Sequence, residues 1–133
     1  MIEYFEDQAK KLAILNDRQR LQEIIQRGNR HEGLPADEQT DEYKVEGCQS
    51  NAYIKVEADD TVTVKSAADS TVVSGYLSYL QEGLSGKTPS QVREEAEGSV
   101  THFVDQGDLS STFTPNRSDV FTNAVEAIAN KLD

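Results

Sequence analysis

One cysteine, two histidines, no tryptophan and three prolines are all that this 133-residue chain holds of the residues that most often staple, ligate or break a fold. A single cysteine excludes an internal disulfide framework and fits a reducing compartment. It also excludes any zinc or iron–sulfur site that needs several thiolates from one chain. With His31 and His102 the only imidazoles, a metal centre would have to lean on carboxylates, and no metal site is assigned. No stretch approaches the roughly 20 apolar residues of a membrane-spanning helix. Met1-Ile2-Glu3-Tyr4-Phe5-Glu6-Asp7 is acidic from the outset and lacks the basic and apolar regions of a signal peptide, so the expected location is the cytoplasm. Basic residues are scarce as well: 13 against 24 acidic ones leave a net charge of -11. Such a surface repels phosphate backbones and anionic lipid, which makes nucleic acid and membranes poor partners. It reads first as a solvated acidic surface suited to high salt, and second as one that attracts a basic partner.

What is present is a globular composition, 36% apolar and 28% charged. A core of this size buries roughly two thirds of the unfolded surface, so residues 1–133 are read as one domain. Ile2, Phe5, Ala9 and Leu12 repeat at helical spacing. Asn16-Asp17 supplies an N-cap for a second helix with Leu21, Ile24 and Ile25 on one face, fraying near Gly28. Asn29 to Glu42, with Gly33 and Pro35, reads as a long loop, and Tyr43-Lys44-Val45 as a further short strand. The period then becomes two. Ala52, Ile54 and Val56, followed after Asp59-Asp60 by Val62 and Val64, predict an antiparallel hairpin with one buried face. Val73, Tyr76, Leu77, Leu80 and Leu84 restore the helical period, with Gly83 and Gly86 marking its stop. Thr88-Pro89-Ser90-Gln91 has the form of a capping box and predicts a short helix through Ala96, with another piece over Val100–Gln106. Pro115 opens a last helix carrying Phe121, Ala124, Val125, Ile128 and Leu132. The fold class is α+β, a small antiparallel sheet packed against helices that precede and follow it.

The chemistry concentrates in Val45-Glu46-Gly47-Cys48-Gln49-Ser50, where the long loop hands over to the hairpin. Free cysteines are commonly inert buried hydrophobes. Cys48 instead has Gly, Gln and Ser as neighbours, and Gly47 lets another chain approach the sulfur closely. A cysteine hydrolase would need a base beside the nucleophile, and His31 and His102 both lie in polar stretches typical of surface histidines. A dithiol oxidoreductase would need a resolving cysteine. Sulfur transfer needs neither, because one thiolate can attack the outer sulfur of a partner's persulfide and later pass it on.

Gly47-Cys48-Gln49-Ser50 with Tyr53-Ile54, then Ala68-Asp69-Ser70 with Val73 and Gly75, Gly86-Lys87-Thr88-Pro89, and Thr114-Pro115-Asn116-Arg117-Ser118 together resemble the SufE-like sulfur acceptors. Gly28 and Leu34-Pro35 fall in register, so the resemblance spans nearly the whole chain. Two positions depart from the family's pattern: Tyr53 stands where tryptophan is common, and Asp119-Val120 where an Asn-Gly-like pair is usual. The resemblance implies the α+β fold of the SufE and IscU-like iron–sulfur assembly proteins, with the cysteine at a loop tip beside an apolar cavity. It implies that Cys48 accepts sulfur from the persulfide of a cysteine desulfurase, stimulates that enzyme and delivers sulfur for iron–sulfur cluster assembly. Gly47, Gln49 and Ser50 would shape the turn, and Arg117 would help position the cysteine loop or the partner. No cofactor is expected in this chain beyond a transient cysteine persulfide; pyridoxal phosphate belongs to the SufS-like desulfurase. A downstream iron–sulfur scaffold is the second implied partner, and monomer and homodimer both stay open. A cluster scaffold proper would need three cysteines, and an independent thiol enzyme would need a base. A regulator that docks on the desulfurase without accepting sulfur is the remaining alternative.

Overall fold

A computed structural model of the chain describes residues 1–47, 51–115 and 117–132. Five α-helices and one hairpin follow in the order α1 (Ile2–Ala13), α2 (Asp17–Arg30), β1 (Ala52–Ala58), β2 (Val62–Ala68), α3 (Thr71–Leu84), α4 (Pro89–Gln106) and α5 (Val120–Leu132). Short 3-10 turns occupy Ala36–Glu38, Asp41–Tyr43 and Leu109–Thr112. The architecture is α+β, with one antiparallel two-stranded sheet among the described residues.

Helix α3 lies at the centre: eleven of its 14 residues are buried, against α2, β2 and α5. It is nearly uniformly apolar or small, as a helix covered on several sides must be. Its crossing with α2 is a backbone-to-backbone approach. A Cβ on Gly28 would collide with the Thr71 carbonyl oxygen, and one on Gly75 with the Ile24 carbonyl oxygen. The two glycines thus answer each other across the interface, and larger residues at either would push the helices apart. Helix α1 packs on α4, where the Phe5 and Phe103 rings lie 5.4 Å apart and Tyr79 continues the aromatic cluster 4.9 Å from Phe103.

The helix starts follow the capping chemistry. The Asn16 side chain accepts from the Gln19 N–H while the Gln19 side chain accepts from the Asn16 N–H, and Thr88 and Gln91 repeat the arrangement with Pro89 in the first turn. Each cap satisfies two donors that the first turn of a helix leaves without partners. Arg20, buried at 3% exposure, donates to the Leu12 and Leu15 carbonyls that end α1, to Asp17 and to Ser111. A buried guanidinium is tolerated because its donors are engaged.

The hairpin turns Ala52, Ile54, Val62, Val64 and Ser66 inward. Its register pairs Ile54 with Ser66 and Val56 with Val64. The outer edge of β2 is closed: Val62, Val64 and Ser66 donate to the Lys87 carbonyl, Ser85 Oγ and Gln81 Oε1 at 2.7, 3.1 and 2.9 Å. An open edge would invite pairing with other chains, and this covering removes the invitation along β2.

Four elements differ from the sequence expectation. Tyr43-Lys44-Val45 is not a strand but the end of a 3-10 turn followed by a single bridge from Lys44 to Tyr53. The two helical pieces expected over 89–106 are one 18-residue helix. Gly98 does not break it, since Ala96, Ser99, Val100 and Phe103 carry a continuous buried stripe past it. Helix α2 runs beyond Gly28 to Arg30. The last helix begins at Val120 rather than at Pro115, because Arg117 and Val120 donate to the Thr114 and Arg117 carbonyls in successive turns.

The glycines of α3 and α4 yield predictions of opposite sign. Gly75→Ala should destabilise the fold by about 1–3 kcal/mol through overpacking. Gly98→Ala, where a Cβ meets nothing within 4 Å, should stabilise it by about 0.5–1 kcal/mol. Urea denaturation of both variants checks the pair, and equal effects would contradict the packing described.

Candidate functional site

Cys48, Gln49 and Ser50 lie outside the described residues, as does Asn116 of the last motif. The chain on both sides of Cys48 is described, and its two ends are tied together. The Val45 N–H donates to the Ala52 carbonyl at 2.8 Å, and Lys44 bridges Tyr53. Val45 is buried at 2% exposure, so the entering end is fixed in the core. At the leaving end, the Asn51 carbonyl accepts from the Asp69 N–H at 3.0 Å, and Asn51 Nδ2 donates to Asp69 Oδ2 at 2.7 Å. Ser70 then caps α3 by accepting from the Val73 N–H at 3.3 Å. The Ala68-Asp69-Ser70 motif therefore joins the segment after Cys48 to the central helix.

Gly47 has φ +86°, a left-handed conformation that glycine adopts freely and other residues avoid. Its face is pressed against α5, where a Cβ would come within 2.9 Å of Asn123 Nδ2. Asn51 and Asn123 were not singled out by the sequence. Both are polar residues whose partners are distant in the chain, and neither helical nor strand periodicity marks them. Asp69 stood inside a quoted motif, but its pairing with Asn51 was not legible from spacing.

Arg117 is half-buried, and its Nη1 donates to the Thr112 carbonyl at 3.1 Å. That carbonyl also accepts from the hydroxyl of Tyr76, whose pKa burial raises while Thr112 and the nearby Arg117 draw it back. The described anchor of Arg117 is thus the turn before α5 and the buried Tyr76.

The histidines stand apart from each other. His31 Nε2 lies 3.1 Å from both the carbonyl and the hydroxyl oxygen of Ser66, beside the covered edge of β2. Burial lowers its pKa below the ordinary 6.5, with the Ser66 carbonyl opposing and Arg27 reinforcing. His102 lies on α4, 3.9 Å from Glu6 on α1. Among the described residues no three His, Cys, Asp or Glu side chains converge on a metal position. No described helix is long and apolar enough to cross a membrane.

A trough of about 490 Å³ runs between α4 and α5, with Val92, Ala96, Val100, Phe121 and Val125 among its lining residues. Gly47 and residues 51–54 take no part in it, so it is separate from the described flanks of Cys48.

Residues 6–132 match the family model SufE, described as an Fe-S metabolism associated domain, and the chain belongs to that family. An uncharacterized SufE-like protein of Synechocystis is 26% identical over 115 residues, 86% of this chain and 70% of that protein. The solution structure of a hypothetical protein from Thermus thermophilus superposes with a TM-score of 0.74 over 97% of this chain and 93% of the other. At 18% identity that likeness concerns the fold alone.

Asp69→Ala removes the carboxylate that holds Asn51. Alkylation of Cys48 by iodoacetamide should become several-fold faster with the fold intact, and an unchanged rate would show that this pair does not restrain the segment. For His31 the folded pKa is lowered, so its contribution is present above about 6.5 and lost as pH falls below it. The stability of the wild type relative to His31→Gln should accordingly decline between pH 7.5 and 5; a pH-independent difference would contradict the burial effect.

Proposed function

We propose that the protein is a sulfur acceptor that takes sulfane sulfur from a cysteine desulfurase onto Cys48 and delivers it for iron–sulfur cluster assembly in the cytoplasm. The observation that carries this reading is membership of the SufE family over residues 6–132 in a chain whose one thiol stands between two tethered ends. The Cys48 thiolate attacks the outer sulfur of the desulfurase persulfide. The sulfur–sulfur bond of the enzyme breaks, its electron pair leaves with the enzyme's cysteine as thiolate, and a new bond forms at Cys48. Cys48 loses its proton beforehand, and the enzyme thiolate can take one up. The transferred atom keeps its oxidation state, so no external oxidant or reductant enters this step.

A single nucleophile suffices, and the pyridoxal phosphate that generates the persulfide belongs to the partner. Tethers at Val45–Ala52 and Asn51–Asp69 support the reading because a sulfur carrier must meet its donor and its acceptor from one defined position. Gln49 and Ser50 would shape the turn through hydrogen bonds, Gly47 would set its direction, and Arg117 would brace the neighbouring turn. Removing the persulfide frees the desulfurase for its next turnover, which is the basis of stimulation.

Alanine production by a cysteine desulfurase, with and without this protein, tests the reading. Wild type should raise the rate, and Cys48→Ser should return it to that of the enzyme alone. Stimulation that survives the substitution would instead identify a docking regulator that accepts no sulfur.

A further inference from the structure

The trough between α4 and α5 is lined by buried Val92, Ala96, Val100 and Phe121, each 2–4% exposed, and by half-buried Val125 and Ala129. The two helices run antiparallel, joined by the turn around Leu109–Thr112, and Val92, Ala96 and Val100 face Phe121, Val125 and Ala129 along it. From Val92 to Val104 it follows about 18 Å of α4, at about 1.5 Å per residue. Phe113 and Ser118 close one end. Glu97, Asp105 and Glu126 stand among its lining residues, and none of the three forms an ion pair among the described residues. The one cation of the lining, Arg93, is at the far end, where Nη1 donates to the Leu132 carbonyl at 3.1 Å.

We propose that this trough is a docking surface for a basic amphipathic helix, about three turns long, of a protein partner. The walls are helices whose backbone groups are already bonded internally, so an extended peptide would find no main-chain partners there and would leave its own N–H groups unsatisfied. A helix brings its backbone bonds with it and can lay an apolar ridge between the two helical walls. The unpaired carboxylates favour lysine or arginine on the flanks of that ridge. A second copy of this chain is disfavoured, since each carries a net charge of -11. Asn123, which meets Gly47, is not among the lining residues, so occupation of the trough leaves the contact of Gly47 with α5 untouched.

The probe is a fluorescent peptide of roughly 12 leucines and lysines with leucine at helical spacing, and a leucine–glutamate peptide as its counterpart. Amide shifts of the labelled protein and fluorescence anisotropy are read together. The lysine peptide should bind and move resonances concentrated in residues 92–105 and 118–129, and the glutamate peptide should not bind. Glu97→Lys with Glu126→Lys should weaken binding about tenfold, as two attractions become repulsions. The same charge change at Glu3→Lys with Asp7→Lys, on exposed α1 positions, should change it less than about twofold. Ala129→Trp, which fills the trough without altering charge, should also weaken binding. Shifts spread over the whole acidic surface, equal weakening by both charge variants, or a wild-type dimer whose trough resonances change on dilution would each overturn the proposal.

Discussion

The contact on which this fold turns is the close crossing of α2 and α3 at Gly28 and Gly75. Two helix backbones meet there with no side chain between them, each glycine lying under a carbonyl of the other helix. That approach lets α3 be enclosed by α2 on one side and by β2 and α5 on others. Once α3 is central, its N-terminus at Ser70 and its last turn at Gln81–Ser85 become fixed points for the hairpin. The sheet needs only two strands because side chains of α3 and the turn after it supply the partners that a third strand would give β2.

The Cys48 segment inherits its placement from the same centre. Its leaving end is bonded to Asp69, one residue before the cap of α3, and its entering end is bonded across to Ala52 and buried at Val45. Gly47 rests on α5 at Asn123. Three elements thus define where the thiol-bearing segment starts and stops. In the proposed reaction this is the main contribution of the scaffold: it presents one nucleophile to a partner, while the chemistry that makes the persulfide is done elsewhere. The net acidic surface bears on which partners approach, and the α4–α5 trough provides a second place where a basic one could rest.

Much of the fold was legible from spacing. Period-two alternation marked the hairpin, helical stripes marked α1, α3 and α5, and the pattern Thr88-Pro89-Ser90-Gln91 marked the start of α4 with its reciprocal cap. Legibility ended where tertiary contact overrode a local preference. Gly98 has the local signature of a break, yet buried residues on both sides carry α4 past it. Pro115 looks like a first-turn proline, yet successive turns delay α5 to Val120. Arg20, a residue type mostly found at the surface, is buried because carbonyls at the end of α1, Asp17 and Ser111 converge on it. At the candidate site, Cys48 and Gly47 could be picked out by residue type, and the motif containing Asp69 only through the family resemblance. The bonds from Asn51 to Asp69 and the contact of Gly47 with Asn123 could not, since they join residues that no periodicity relates.

The central claim is that Cys48 accepts sulfur, and intact mass spectrometry tests it most directly. The protein is incubated with its cognate cysteine desulfurase and cysteine, then weighed beside Cys48→Ser treated in the same way. The account predicts a gain of about 32 Da per transferred sulfur, reversed by a thiol reductant and absent in the variant. A wild-type mass that stays unchanged while the desulfurase turns over would contradict it.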